Sequence, residues 1–197
     1  MAVTAGMTYY FTPKYTRVGY QPTQPVPFEH TIHVEQLGMD CRYCHSHVEV
    51  AAHSNVPEVQ TCMSCHTQVK AESPRLAAVR EAWNGGAADG PPVNWVQVHK
   101  LPDYVYFNHA VHVNRGVSCF SCHGAVNEMK TVYQHESQSM SWCLDCHRAP
   151  ENALRPPDEV FNMNWKAGSV KEQREMGLKF KEEWKVNPPT DCGGCHR

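Results

Sequence analysis

Apolar and polar positions follow a helical period most clearly in two places. The first runs from Pro74 to Trp83, with Ser73 placed as N-cap, Pro74 at the first helical position and Gly85-Gly86 closing the run. The second spans Gly168 to Val186, where Met176, Phe180 and Trp184 recur four apart on one face of an otherwise charged helix. That face reads as a packing surface. Between these helices the pattern is irregular. Residues 13–27 carry four prolines and read as an extended arm, Trp95 to Tyr106 reads as extended with a turn at Pro102-Asp103, and a Pro-rich stretch runs from Pro150 to Pro157.

The first eleven residues, Met1 to Phe11, are small, apolar and aromatic. They lack the basic start and apolar run of a signal peptide and are too short to span a bilayer. Tyr9, Tyr10 and Phe11, followed by Lys14 and Arg17, look like the interfacial end of a membrane helix whose earlier residues precede this sequence. The alternative is an ordinary mobile N-terminus.

One pattern occurs twice. Phe28-Glu29-His30-Thr31-Ile32-His33-Val34, then Gly38, leads to Cys41; Phe107-Asn108-His109-Ala110-Val111-His112-Val113, then Gly116, leads to Cys119. Each repeat ends in Cys-x-x-Cys-His. The internal repeat predicts two related halves, about 28–70 and 105–150, within a domain of 28–197 whose last part, 168–197, holds a helix and one more motif. Residues 1–27 form the N-terminal arm.

Composition then sharpens the chemistry. The chain of 197 residues has 10 Cys, 13 His and 14 Pro, and its 41% hydrophobic content is poor in Leu, Ile, Val and Phe, so a conventional core would be thin. Net charge is −2 and the pI is near 6.7, which gives no basic face for nucleic acid. All ten cysteines fall in five motifs: Cys41/Cys44/His45, Cys62/Cys65/His66, Cys119/Cys122/His123, Cys143/Cys146/His147 and Cys192/Cys195/His196.

A zinc site has no need of a histidine straight after each second cysteine, and five pairs do not group two by two into four-cysteine sites. A Cys-x-x-Cys disulfide is strained and usually redox-active. Cys-x-x-Cys-His is instead the attachment signature of c-type haem: two thioethers to the vinyl groups, and a proximal histidine on the iron. The sequence therefore predicts five covalent haems. The expected fold is mainly α with much irregular structure around a haem-filled interior. Bacterial haem attachment of this kind happens outside the cytoplasmic membrane, so a periplasmic location follows.

Five proximal histidines leave eight others: His30, His33, His47, His53, His99, His109, His112 and His135. Histidines three apart on a helical turn share a face but diverge, so each pair can serve two haems. His30 and His109 lie far enough ahead of their motifs to reach round to the opposite face, and His33 and His112 would then reach neighbouring haems. His53 is the next candidate, with His99 behind it. His47 lies too near His45. For the fourth haem, Met129 has the reach that Met140 lacks, and a methionine ligand would raise that haem's potential.

The chain resembles the pentahaem cytochrome c subunits of alternative complex III, a bacterial quinol:electron-acceptor oxidoreductase unrelated to the bc1 complex. The resemblance rests on the haem motifs and on residues between them: Pro27-Phe28-x-His30, Leu37 to Ser46, Leu101 to His109 and Ser139 to Arg148. The Phe-x-His-x-x-His pattern alone is shared with small cytochromes of the c3 kind, where the first histidine serves the following haem and the second another. Family members usually carry an N-terminal membrane helix, from which this sequence departs.

The resemblance implies an electron-transfer subunit, not an enzyme on its own. It would sit on the outer face of the cytoplasmic membrane beside iron–sulfur and polytopic quinol-handling subunits, passing electrons to a monohaem cytochrome c or a copper protein. The alternatives are a free c3-like periplasmic shuttle and a multihaem reductase with one open iron site.

Overall fold

Short helices joined by irregular segments make up the chain, and the structure, a computed structural model, describes residues 1–11 and 16–196. Pro13 and Lys14, placed above in the arm and beside the membrane-helix end, lie outside the described residues. Among those residues there is no strand, and pairing of the β type is limited to two isolated bridges, Val105 with His196 and Val117 with Leu154. The expected mainly α and irregular architecture is what is found. Trp95–Tyr106, expected to be extended, contributes only the bridge at Val105.

Each of the five motifs starts a helical turn or lies in one: Cys41–Cys44, Val59–His66, Cys119–His123, Met140–Arg148 and Cys192–Cys195. Helices this short do not hold in water by themselves. Side-chain caps fix four of them. Asp40 accepts from the Arg42 amide, Ser118 from Phe120, Ser139 from Trp142 and Asp191 from Gly194. A capping oxygen ahead of the first cysteine satisfies an orphan amide and sets the direction in which the cysteines leave the backbone.

The helix expected to open at Pro74 begins as a tight turn over Pro74–Leu76, with Ser73 accepting from the Arg75 amide, and becomes regular over Ala77–Trp83. Its end is Asn84 in the left-handed region, φ 43°, one residue ahead of the glycines. Val79 of this helix packs with Val26 of the arm and Met63 of the second motif helix. The expected C-terminal helix spans Val170–Glu183, capped by Ser169, whose hydroxyl accepts from the Glu172 amide and donates to the Glu172 carboxylate. Phe180 and Trp184 stack at 4.3 Å with planes 6° apart, a packing role for that face. This helix lies on the turn Pro150–Asn152, with Gly177 against Glu151 and Lys181 paired to the Glu151 carboxylate at 3.0 Å.

Apolar burial is scattered: among the described residues the largest fully enclosed side chains are those of Leu154 and Ser118. That thinness fits an interior completed by prosthetic groups rather than side chains. The Ala2–Tyr10 helix buries none of its residues, and Met1, Val3, Met7, Tyr9, Tyr10 and Phe11 are exposed. No helix among the described residues is long and apolar enough to cross a membrane.

Candidate functional site

A histidine that binds iron through Nε2 keeps a proton on Nδ1, and that N–H needs an acceptor. Of the five histidines that close the Cys-x-x-Cys-His motifs, four have a backbone carbonyl there. His45 Nδ1 donates to Asn55 O at 2.8 Å, His66 to Val69 O at 2.9 Å, His147 to Pro189 O at 2.6 Å and His196 to Tyr104 O at 3.3 Å. His123 differs: its Nδ1 meets Nε2 of His99 at 3.4 Å. The rings are thus oriented with Nε2 free, as an axial ligand requires. None of the ten cysteines is in a disulfide, and among the described residues no group of three or more His, Cys, Asp or Glu could hold a bare metal ion. The residues fit covalent haem and do not fit zinc.

Two imidazoles on opposite sides of one iron, with metal–nitrogen bonds of about 2 Å, have ring centroids about 6.3 Å apart. The structure contains such pairs. His33 and His66 are 6.2 Å apart, His112 and His147 6.2 Å, and His109 and His123 6.5 Å. The planes differ: 65° for His33/His66, 33° for His112/His147 and 9° for His109/His123.

His30 is the counterpart of His109. Burial lowers its pKa to about 4, with the His45 and His33 rings adding to the effect, and its Nδ1 is buried without a partner. The neighbouring rings place it beside the proximal histidine of its own motif, as His109 is.

The sequence repeat is reproduced in the packing. Phe28 meets His30 edge-on at 4.8 Å and stacks on His33 at 4.4 Å; Phe107 meets His109 edge-on at 4.8 Å and stacks on His112 at 4.5 Å. The turns themselves differ, π-helical over Thr31–Gln36 and α-helical over His109–Val113. Both nevertheless close on a bond across five residues, Leu37 N–H to Ile32 O and Val117 N–H to His112 O. The remaining Nδ1 atoms are anchored on carbonyls: His33 to Glu29, His109 to Ala52 and His112 to Asn108.

The cysteines show how the motifs succeed one another. Cys41 and Cys119 lie side by side, each the largest influence on the other's pKa. Burial raises the Cys44, Cys122 and Cys143 pKa values, and in each case the next contribution comes from a cysteine of another motif: Cys62 for Cys44, Cys146 for Cys122 and Cys195 for Cys143. Neighbouring cysteines thus link the motifs in the succession Cys62/Cys65, Cys41/Cys44, Cys119/Cys122, Cys143/Cys146, Cys192/Cys195. Cys65 at one end and Cys192 at the other are exposed, whereas the remaining cysteines are partly covered.

The other candidates lie elsewhere. His53 is exposed, and the ring opposite His66 is that of His33. Met129 is buried, 5% exposed, and lines a cavity with Gln21, Ala125, Lys130 and Tyr133, while the ring opposite His147 is that of His112. Tyr104 is the ring beside His196, at 5.6 Å. The caps Asp40, Ser118 and Asp191 went unnoticed in the sequence, though a Ser or Asp directly before the first cysteine is a readable signal. The carbonyl acceptors had no signal, since every residue carries a carbonyl.

Comparison with known proteins shows the family to which the chain belongs. The family described as cytochrome c7 and related cytochrome c matches residues 26–83 and 105–197. Over 154 residues the chain is 34% identical to the menaquinone reductase, multiheme cytochrome c subunit, of Nitratidesulfovibrio vulgaris (strain Hildenborough), covering 68% of this chain and 71% of that protein.

Proposed function

The chain belongs to the family of cytochrome c7 and related cytochromes c, and on that premise we propose that it is the electron-transfer subunit of a quinone-linked oxidoreductase complex on the outer face of the bacterial cytoplasmic membrane. The haems supply one-electron couples. The chain's part is to hold them in a fixed succession and to set their surroundings. The observation that carries the reading is the succession of five motifs, each with a cysteine beside one of the next.

In this proposal each Cys-x-x-Cys pair anchors one haem, and His45, His66, His123, His147 and His196 are the proximal ligands. His30, His109, His33 and His112 take the distal positions opposite His45, His123, His66 and His147. The centroid separations support the last three pairings, and the packing of His30 supports the first. His33 and His112 each leave the turn that also carries the distal ligand of a different motif. One turn thereby fixes two neighbouring sites, and their spacing no longer depends on loops.

Electrons would run from quinol oxidation by polytopic and iron–sulfur partners to a monohaem cytochrome c or copper protein in the periplasm. The name of the relative, a menaquinone reductase, favours the opposite direction, from a periplasmic donor toward quinone. Purifying the chain from solubilised membranes tests the complex, and assaying the purified complex with quinol and with quinone tests the direction. Recovery as a soluble monomer would contradict membership of a complex. A high-spin ferric signal from one site of the fully loaded protein would favour the reductase reading instead.

A further inference from the structure

We propose that His99 is a positioning residue for the Cys119/Cys122 site, accepting the Nδ1 proton of His123 through its own Nε2 and so strengthening that ring's donation to iron. The inference rests on the reading of His123 as a proximal ligand. With iron on Nε2, His123 must donate from Nδ1, and His99 must accept with a bare Nε2, its own proton being on Nδ1.

The contact sets this site apart from the other four. At His45, His66, His147 and His196 the acceptor is a backbone carbonyl. Only at His123 is it a side chain, 3.4 Å away with the rings edge to face at 86°. An imidazole nitrogen is a much stronger base than an amide oxygen, so it draws the Nδ1 proton further and makes His123 the more electron-rich ligand. Such a ligand favours ferric over ferrous iron.

The surroundings hold His99 in place, with its ring partly buried. Its main chain is held by Gln97, whose side-chain amide donates to the His99 carbonyl at 3.0 Å, and by the buried Val98 before it. The site so distinguished is the third in the succession of neighbouring motifs.

The test is a potentiometric titration of the haem-loaded protein, followed by electron paramagnetic resonance, for wild type, His99→Ala and His99→Gln. Haem content and the low-spin state of the wild-type Cys119/Cys122 site come first; failure there would sink the underlying assignment before any variant is compared. In His99→Ala one midpoint of the five is expected to rise while the others hold, and the g-values of the same haem to move. His99→Gln supplies an amide oxygen like those at the other four sites, so its midpoint should lie between wild type and His99→Ala. Unchanged midpoints in both variants would overturn the proposal, as would equal shifts, which would show that packing matters and the acceptor does not. If His99→Ala fails to assemble, an unshifted midpoint in His99→Gln overturns it alone.

Discussion

The His112 ring stands 6.2 Å from the His147 ring, although His112 belongs to the run-up of the Cys119/Cys122 motif and His147 to the next motif along the chain. Its neighbour on the same turn, His109, faces His123 instead, at 6.5 Å. One short helix, His109–Val113, thus addresses two sites. The first repeat does the same with His33 and His66, on a turn of different helical type. What the repeat preserves is therefore the pair of ring positions and the aromatic wedge between them, and not the backbone conformation.

The pairs differ in the angle between ring planes, and this should be visible. The planes of His109 and His123 are 9° apart, those of His33 and His66 65°. Near-parallel imidazoles split the iron orbitals into a rhombic low-spin pattern; strongly crossed ones give a highly anisotropic signal. We expect the oxidised protein to show both types by electron paramagnetic resonance. A spectrum containing only the rhombic type would contradict the arrangement at His33 and His66.

Ser118 is 1% exposed, and its hydroxyl accepts the Phe120 amide at 3.2 Å directly ahead of Cys119. Ser118→Ala leaves that buried amide without its cap and should cost about 0.5–2 kcal/mol. Thermal unfolding of the loaded protein measures it. An unchanged midpoint would mean that thioether attachment alone fixes the turn.

Gly177 lies in the C-terminal helix where an added Cβ would sit 1.9 Å from the Glu151 carbonyl oxygen. Helix propensity would favour alanine by about 1 kcal/mol, but overpacking costs about 1–3 kcal/mol. Because the obstacle is backbone, Gly177→Ala should be net destabilising. Gly6 is the control, with nothing within 4 Å of its Cβ position, and Gly6→Ala should be neutral or slightly stabilising. Calorimetry of the two variants separates packing from propensity.

The Glu151 pKa is held below the usual carboxylate range by a hydrogen bond from its own backbone and by Lys181. Because the folded value is the lower one, the contribution is complete above the unfolded value, about pH 4.3, and is lost as the pH falls through the folded value. The stability gap between wild type and Glu151→Gln should therefore narrow on acidification. A gap that stays constant down through that range would show that the charge plays no part.

Much of the site was legible in the sequence because covalent attachment ties function to fixed spacing. The five Cys-x-x-Cys-His motifs and the paired histidines of each repeat, whose rings the structure sets beside those of the motif histidines, stand at fixed spacings in the sequence. The long-range succession was not legible, since the Cys41–Cys119 and Cys143–Cys195 neighbours depend on how the loops fold back. Spacing makes His53 and Met129 candidates for the second and fourth motifs, while the rings that stand by His66 and His147 are those of His33 and His112, because distance along the chain counts reach and not which turn is aimed at the site. His99 shows the same limit: its partner His123 is brought to it by an irregular segment without periodic pattern.

The central claim is that each repeat turn ligates its own site and reaches a neighbouring one, and His112→Ala tests it most directly. Electron paramagnetic resonance of the fully loaded variant should show a high-spin ferric signal from the haem on Cys143 and Cys146, with the haem on Cys119 and Cys122 still low-spin. Site assignment comes from the companion variant His109→Ala, which should convert the Cys119/Cys122 haem instead. A change confined to the Cys119/Cys122 haem on loss of His112 would contradict the account.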